Sequence, residues 1–250
     1  FLSHDNFTIY TDSAVFPIFY KTVDGGNNWT GPIDVDLMSI PAVRNFITDS
    51  LLEVYLGYPP VPETRDSMLF CTSFDSDMAV DNNGNPYIAV GISWFTGTAF
   101  SYSTAPGLCG MFIVFSNDGG TTWDAKFLSY LSRFRGTFAG STADIVEDNR
   151  PQISTTYDGT KMFVSWLDTD TITQDGTSGN FYPDIFLRGF DPATSYLTPV
   201  FKVTAGTLAE GSARMGTASY YVIDNTSSFE IPLAYQDWDV SDNSNPAQYF

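Results

Sequence analysis

Short apolar runs that end in polar turns recur along the whole chain. The runs are rich in β-branched and aromatic residues, and Asp, Asn or Gly follows each of them within a few positions, a pattern typical of strands joined by tight turns. In four places an aspartate opens the turn, and these are Asp5, Asp81, Asp158 and Asp224. The pattern predicts repeated units in which strand one precedes this aspartate and strand two follows it.

A second type of turn is expected between strands three and four. Residues 22–29 read TVDGGNNW and residues 116–123 read SNDGGTTW, each after an apolar run at 16–20 or 111–115. Aspartate accepts bonds from nearby backbone amides, glycine adopts positive φ, and the tryptophan can fold back over the turn. We expect a structural role for the residues of this pattern, namely Thr22, Asp24, Gly26, Trp29, Ser116, Asp118, Gly120, Thr122 and Trp123.

The two central units are complete in the sequence, whereas the outer two are not. The strands predicted for the second unit are about 74–80, 86–95, 110–116 and 123–131. Those predicted for the third unit are about 151–157, 161–168, 184–190 and 197–204. The last turn of the third unit, residues 190–196, keeps an aspartate and an aromatic residue but has no glycine. The first unit lacks strand one, and the fourth stops at residue 250 inside strand three.

Four-stranded units that cannot each close a core indicate a β-propeller. The two tryptophan turns resemble the Asp-box (BNR-repeat) motif of the propeller superfamily that includes the sialidases, with Asn28 where that family prefers Thr. The resemblance implies an all-β fold, a β-propeller of four-stranded antiparallel blades with Asp-box turns, and one partial domain over residues 1–250 with about four blades. Sialidase-like rings usually close with six, so we expect further blades. A β-sandwich with two similar hairpins is the alternative.

Residues 38–70 interrupt the repeat as an insertion between the first and second blades. Apolar residues from Ala42 to Tyr55 recur with a loosely helical period. An extended, proline-rich stretch at 57–62 follows them. An insertion of this length can cover or line a site, and the two interpretations are a packing segment or lid and a ligand-contacting segment.

Charge narrows the range of partners. The formal net charge of −18 and the pI near 4.1 disfavour nucleic acids and anionic membrane surfaces, because no run of Lys or Arg offsets them. No apolar run is long enough to cross a membrane. The sequence starts at Phe1 without a signal-like segment, which suggests a processed or partial product.

Strand alternation divides the loops of such units between two edges. The turns between strands one and two and between strands three and four lie at one edge, here called the Asp-box edge. The opposite, loop edge carries the other connections, which are residues 38–70, 96–109, 132–149, 168–183 and 205–214. Six of the seven arginines lie in or beside them, namely Arg44, Arg65, Arg133, Arg135, Arg150 and Arg214. The candidate ligand face consists of Arg133, Arg135, Arg150 and Arg214.

The family resemblance also implies a possible chemistry. Sialidases bind the sugar carboxylate with an arginine cluster and use a tyrosine nucleophile activated by glutamate, with an aspartate as acid/base. The family's Arg-Ile-Pro signature is missing, because residues 149–153 read NRPQI and place only Arg150 at the start of a first strand. No Tyr/Glu pair can be assigned, although Asp144, Glu147 and Asp148 lie near Arg150 in the sequence, so no catalytic residue is predicted. Alternatively, the arginines are loop charges or partners of the many carboxylates.

Other candidate sites depend on fewer residues. A calcium site could form from Asp168, Asp170, Asp175, Gly176 and Asp184, although their spacing is not that of an EF-hand. His4 is the single histidine and lies near a chain end, which disfavours a Ser-His-Asp triad or a histidine-based zinc site. Cys71 and Cys109 form either a disulfide in an exported protein or two buried thiols.

The favoured function is a secreted or cell-surface recognition or scaffold module of a larger exported bacterial protein, of the class whose sorting signal lies at the far C-terminus, such as a type IX secretion substrate. The expected partners are an extracellular glycan, a surface protein or further segments of the same protein, with no cofactor beyond the calcium alternative. A sialidase-type exo-glycosidase is the alternative. An intracellular interaction propeller is a third class that the acidity and the Asp boxes disfavour.

Overall fold

The computed structural model describes residues 2–5, 16–95, 105–132, 136–137, 146–147, 149–169, 182–237 and 248–249. These residues form an all-β structure of antiparallel sheets with a few short helices. Four sheets of three or more strands follow one another along the chain and are called sheets one to four here.

Sheet one contains β1 (Leu2–Asp5), β2 (Phe16–Lys21) and β3 (Thr30–Asp34) in that spatial order. Asp5 ends β1 and pairs with Phe16 of β2, and the turn that it is expected to open lies outside the described residues. His4 lies in the same strand. The strand expected at residues 7–10 falls outside the described residues.

A helical segment connects sheets one and two. It consists of a 3₁₀ turn (Leu37–Ser39), α1 (Pro41–Arg44), α2 (Asp49–Leu56) and α3 (Pro62–Asp66). The Thr48 hydroxyl caps the N-terminus of α2, and Gly57 ends that helix with φ 79°. Phe46 is buried and contacts the rings of Phe70, Phe112 and Phe127 in sheet two. The segment is therefore part of the core. In the described part of the chain, no helix has the length and apolarity that a membrane span requires.

Sheet two is a four-stranded meander of β4 (Leu69–Val80), β5 (Pro86–Phe95), β6 (Cys109–Phe115) and β7 (Asp124–Tyr130). The four predicted strands are present, and β4 begins earlier than expected. Its two central strands are buried on both faces, since Ile88 and Val90 belong to one core cluster while Tyr87 and Ala89 belong to another. This double burial explains why β5 and β6 read as continuous apolar runs instead of alternating ones.

Sheet three follows a short hairpin of β8 (Gly136–Thr137) and β9 (Val146–Glu147). Its strands are β10 (Gln152–Thr155), β11 (Met162–Asp168), β12 (Asp184–Asp191), β13 (Tyr196–Leu197) and β14 (Phe201–Lys202). The single strand predicted at 197–204 is wrong. It is divided into β13 and β14, which both pair with β12, and Pro199 between them has no amide to donate to the ladder.

Sheet four contains β15 (Arg214–Ala218), β18 (Leu233–Asp237) and β19 (Gln248–Tyr249). A separate hairpin of β16 (Ile223–Asp224) and β17 (Phe229–Glu230) lies between β15 and β18 in the chain. The expected role of Asp224 is therefore corrected, because its turn closes this hairpin and does not join strands one and two of the sheet.

Three buried clusters join neighbouring sheets. The first cluster contains residues of sheet one, the helical segment and one face of sheet two. The second cluster lies between the other face of sheet two and sheet three, where Trp166 is buried. The third joins Leu167 and Ile185 of sheet three to residues that precede and follow β15. Each sheet thus packs on the next one in the sequence.

The disulfide alternative for Cys71 and Cys109 is wrong, because both are free and buried. Both residues pair with Ser93 of β5, from opposite sides. They therefore lie two strands apart, or roughly 10 Å at the usual spacing between strands, which is beyond the reach of a disulfide. Burial, reinforced by the charge of Asp168, raises the pKa of Cys109 to about 12.

This burial predicts slow thiol chemistry in the folded protein. Iodoacetamide at pH 8 should leave Cys71 and Cys109 unmodified in native protein and alkylate both after unfolding without reductant, because the thiolate is the reactive form. Mass spectrometry of both samples gives the number of alkylated cysteines. A modified Cys109 in native protein, or a reductant requirement after unfolding, would contradict this structure.

Candidate functional site

The turn at residues 116–123 is a closed network of hydrogen bonds. The Ser116 hydroxyl donates to Asp118 Oδ1 (2.7 Å) and accepts from the amide of Gly120 (2.7 Å). Asp118 Oδ1 also accepts from the amides of Thr121 and Thr122 at 2.9 and 2.8 Å, and the Thr122 hydroxyl donates to Oδ2 at 2.7 Å. The polar atoms of Ser116 and Asp118 are therefore used within the turn.

The turn at residues 22–29 repeats this network with a different donor. The Thr22 hydroxyl and the Asn28 amide donate to Asp24 Oδ1, at 2.8 and 2.9 Å. Asn28 Nδ2 donates to Asp24 Oδ2 at 2.6 Å, the same bond that the Thr122 hydroxyl makes in the other turn. Trp29 Nε1 donates to the carbonyl of Gly26 at 3.1 Å. Asparagine at position 28 therefore preserves the turn.

These bonds stabilise the ionised aspartates. The amide of Asn28, followed by its side chain and by Thr22, lowers the pKa of Asp24 to about 2. The amide of Thr122 and the hydroxyls of Ser116 and Thr122 hold the pKa of Asp118 well below its usual range. Each shift is explained by donors of the same turn, so neither indicates an acid/base group for an external substrate.

The turn at residues 116–123 also docks on sheet one. A Cβ added to Gly120 would lie 2.2 Å from Cζ of Phe19 in β2. The rings of Phe19 and Trp123 meet edge to face, with centroids 5.3 Å apart. Lys21 Nζ donates to the carbonyl of Gly119 at 2.9 Å. The turn therefore connects two sheets as well as two strands.

Other aspartate turns lie at the same edge. In the β4–β5 turn, Asp81 accepts from the amide and side chain of Asn85, both at 2.9 Å, and Asn85 Oδ1 accepts from the amide of Gly119 at 3.0 Å. Gly159, beside Asp158 in the β10–β11 turn, lies so close to the Asp81 backbone that a Cβ would meet it at 2.9 Å. The Asp-box edge is thus a continuous structural layer from β2 to sheet three.

At the loop edge, two of the predicted arginines hold the helical segment together. Arg44 pairs with Asp66. Arg65 pairs with Asp49 at 2.5 Å and donates to the carbonyls of Arg44 and Ile47. This arrangement corresponds to the alternative in which the arginines are partners of carboxylates.

Arg150 and Arg214 lie at the starts of neighbouring first strands. Arg150 Nε donates to the carbonyl of Gly216 in β15 at 2.8 Å, and Nη1 contacts Met215 Sδ at 3.8 Å. Arg214 is buried with 3% of its surface exposed. Arg133 and Arg135, the other two members of the candidate ligand face, lie outside the described residues, as do Asp144 and Asp148. Two members of the candidate ligand face thus lie at the starts of neighbouring strands, where Arg150 is bound to β15 and Arg214 is buried.

The described part of the predicted calcium loop is committed to protein contacts. Asp168 accepts from the amide of Ser132, which follows β7 of sheet two, at 2.9 Å. Asp184 accepts from Thr204 Oγ1 and the Gly211 amide and pairs with Lys202 at 2.9 Å. Among the described residues no cluster of His, Cys, Asp or Glu has a metal-binding arrangement. Asp170, Asp175 and Gly176 lie outside them, so the calcium alternative stays a prediction.

Several residues that join the sheets were not singled out from the sequence. Asp77 Oδ2 in β4 accepts from the amide of Ile153 in β10 at 3.0 Å. Arg188 in β12 donates to the carbonyls of Leu128 and Thr198, and burial lowers its pKa. The sequence signal that could have identified Arg188 is a charged residue within an otherwise apolar strand, because a buried charge needs a partner.

Substitution of the two central glycines of the 116–123 turn separates the cost of backbone strain from the cost of losing the contact with Phe19. Gly119 and Gly120 have φ of 69° and 92°, but a Cβ on Gly119 meets only Lys21 Nζ, at 3.8 Å. Gly119→Ala should lower the free energy of unfolding by about 1 kcal/mol. Gly120→Ala should cost about 1–3 kcal/mol more, because it displaces Phe19. Equal losses in urea unfolding would refute the docking.

The Asp118 carboxylate should make stability depend on pH. Its pKa is 3.8 in the reference state and lower in the fold, so its contribution is complete above about pH 4 and is lost as the pH falls below that. Asp118→Asn should therefore destabilise the protein most at pH 5 and progressively less towards pH 2. Urea unfolding of both proteins across this range measures the difference. A difference that stays constant with pH would contradict the assignment.

Comparison with known proteins leaves the family open. Neither a scan against protein-family models nor a search of curated proteins found a match. Among solved structures, the chain is similar to a family 117 glycoside hydrolase from the marine bacterium Zobellia galactanivorans, with 10% identity and a TM-score of 0.34 over 73% of this chain. The match covers 61% of that structure, so the chain spans about three fifths of its length. A likeness of this size gives no information on fold or activity.

Proposed function

We propose that the four sheets are successive blades of an Asp-box β-propeller and that the chain is a recognition or scaffold module of a larger exported protein. Contacts between the first strands support the propeller, since β4 contacts β10 and β10 contacts β15. The bond from the Ile153 amide to Asp77 joins the first pair. Neighbouring blades of a propeller require this arrangement, in which the first strands lie side by side and the sheets pack face to face.

The observation that carries the non-catalytic proposal is how the loop-edge arginines are used. Each one that the structure describes is bound or buried. Arg44 is bound by Asp66, Arg65 by Asp49 and Arg150 by the Gly216 carbonyl, whereas Arg214 is buried. A sialidase-type site requires arginine forks that are open to a substrate carboxylate. Guanidinium groups that join strands and helices suit a scaffold better.

The remaining parts of the proposal concern location and partners. The Asp-box turns and the net charge of −18 fit a secreted or cell-surface protein. An extracellular glycan, a surface protein or further blades of the same protein would contact the loop edge, because the polar groups of the 116–123 turn are used within that turn. No cofactor is required for this role.

A sialidase assay tests the proposal against its rival. The chain should release no 4-methylumbelliferone from 4-methylumbelliferyl sialic acid above the buffer rate. Turnover that is abolished by Arg150→Ala and retained by Arg44→Ala would overturn the proposal in favour of the exo-glycosidase. Arg44 is the matched control because its guanidinium pairs with Asp66 inside the helical segment.

A further inference from the structure

The Asp-box edge carries a row of three exposed tyrosines. Tyr157 lies in the β10–β11 turn, and Tyr220 and Tyr221 follow β15. Their exposed fractions are 86%, 42% and 50%. The ring centroids of Tyr157 and Tyr221 are 5.7 Å apart, and those of Tyr220 and Tyr221 are 4.8 Å apart. We call these three residues the tyrosine row.

The backbone beneath the tyrosine row is fixed from both sides. The amide of Thr155 donates to the Tyr220 carbonyl at 2.8 Å, and the amide of Val222 donates to the Thr155 carbonyl at 3.0 Å. The Ser219 hydroxyl donates to the Tyr221 carbonyl at 2.9 Å. On the other side, the Asp158 side chain holds the turn that carries Tyr157 through the hydroxyls of Thr156 and Thr160. The rings therefore stand on a backbone that is already ordered.

The phenol groups of the row are available to a ligand. Within the described part of the chain, none of the three hydroxyls has a hydrogen-bond partner, whereas the hydroxyl of Tyr130 donates to the Phe46 carbonyl at 2.9 Å. An exposed tyrosine offers an apolar ring face together with a polar tip. The three rings form a contiguous but non-planar aromatic surface, with interplanar angles of 49° and 83° between neighbouring rings, and donors and acceptors border it.

We propose that the tyrosine row binds an uncharged carbohydrate chain. The C–H face of a sugar ring packs on an aromatic face, and sugar hydroxyls bond to phenol groups, so both parts of each tyrosine are used. Charge selects against anionic sugars, because Asp158 lies beside Tyr157, and Lys161, the cation nearest to Tyr157 in the sequence, pairs with Asp191 at 2.9 Å. The ordered backbone beneath the rings also lowers the entropic cost of binding. The site is separate from the loop edge and does not depend on its role.

Affinity gel electrophoresis of the 250-residue chain tests this binding with defined probes. The neutral probes are laminarin, mannan, xylan and hydroxyethylcellulose, and alginate is the anionic one. We expect retardation by at least one neutral polysaccharide and none by alginate. Retardation by alginate alone, or by no neutral probe, would overturn the proposal.

Variants assign the binding to the tyrosine row. The double variant Tyr157→Ala/Tyr221→Ala should raise the apparent Kd at least about tenfold, from the loss of two stacking faces. Replacing the same two residues with Phe should retain most of the affinity. Tyr196→Ala is the control, since Tyr196 is 60% exposed on β13 outside the row. Unchanged binding by the double alanine variant at an unchanged Tm, or equal loss in the Tyr196 variant, would refute the site. Competition by a proline-rich peptide and not by free oligosaccharide would also refute it.

Discussion

The contact between the 116–123 turn and β2 is the constraint that orders the rest of the structure. Its hydrogen bonds make the turn rigid, and that rigidity lets Gly120 approach the Phe19 ring closely enough to exclude any side chain. Trp123 then packs edge to face on the same ring. A motif that first looks like a reactive group of Asp, Gly and Trp is in fact the joint between two sheets. The Asp118 carboxylate is ionised because donors of the same turn bind it and lower its pKa.

This joint decides where a ligand can bind. The aspartate turns occupy one edge and contact each other through Asn85 and Gly159. At the loop edge, the described arginines reinforce the fold. The tyrosine row is the exception to a purely structural Asp-box edge, because its rings project from the layer without joining it. The two edges therefore have separate roles and can be tested separately.

Much of the fold follows from local pattern. The strands of sheet two and most of sheet three are predictable, because apolar runs and aspartate turns are encoded within a few residues. The split of β13 from β14 depends on one proline in the ladder, and the free cysteines depend on strand register, since Ser93 lies between them. The partners of Asp77, Arg150 and Arg188 come from other sheets. A local sequence pattern gives no information on contacts between residues so far apart in the chain. The sequence therefore predicts the arginine face but does not decide whether its side chains face a ligand or the protein.

The most direct test of the central claim is a double-mutant cycle between Phe19 and Trp123. With Phe19→Leu and Trp123→Leu, urea unfolding of the four proteins should give a coupling free energy of about 1 kcal/mol, as expected for an edge-to-face aromatic pair. The parallel cycle with Trp29, which packs on its own turn through Gly26, should be additive. Zero coupling between Phe19 and Trp123 would mean that the Asp-box turn does not join the two sheets, and the assignment of the two edges would fail with it.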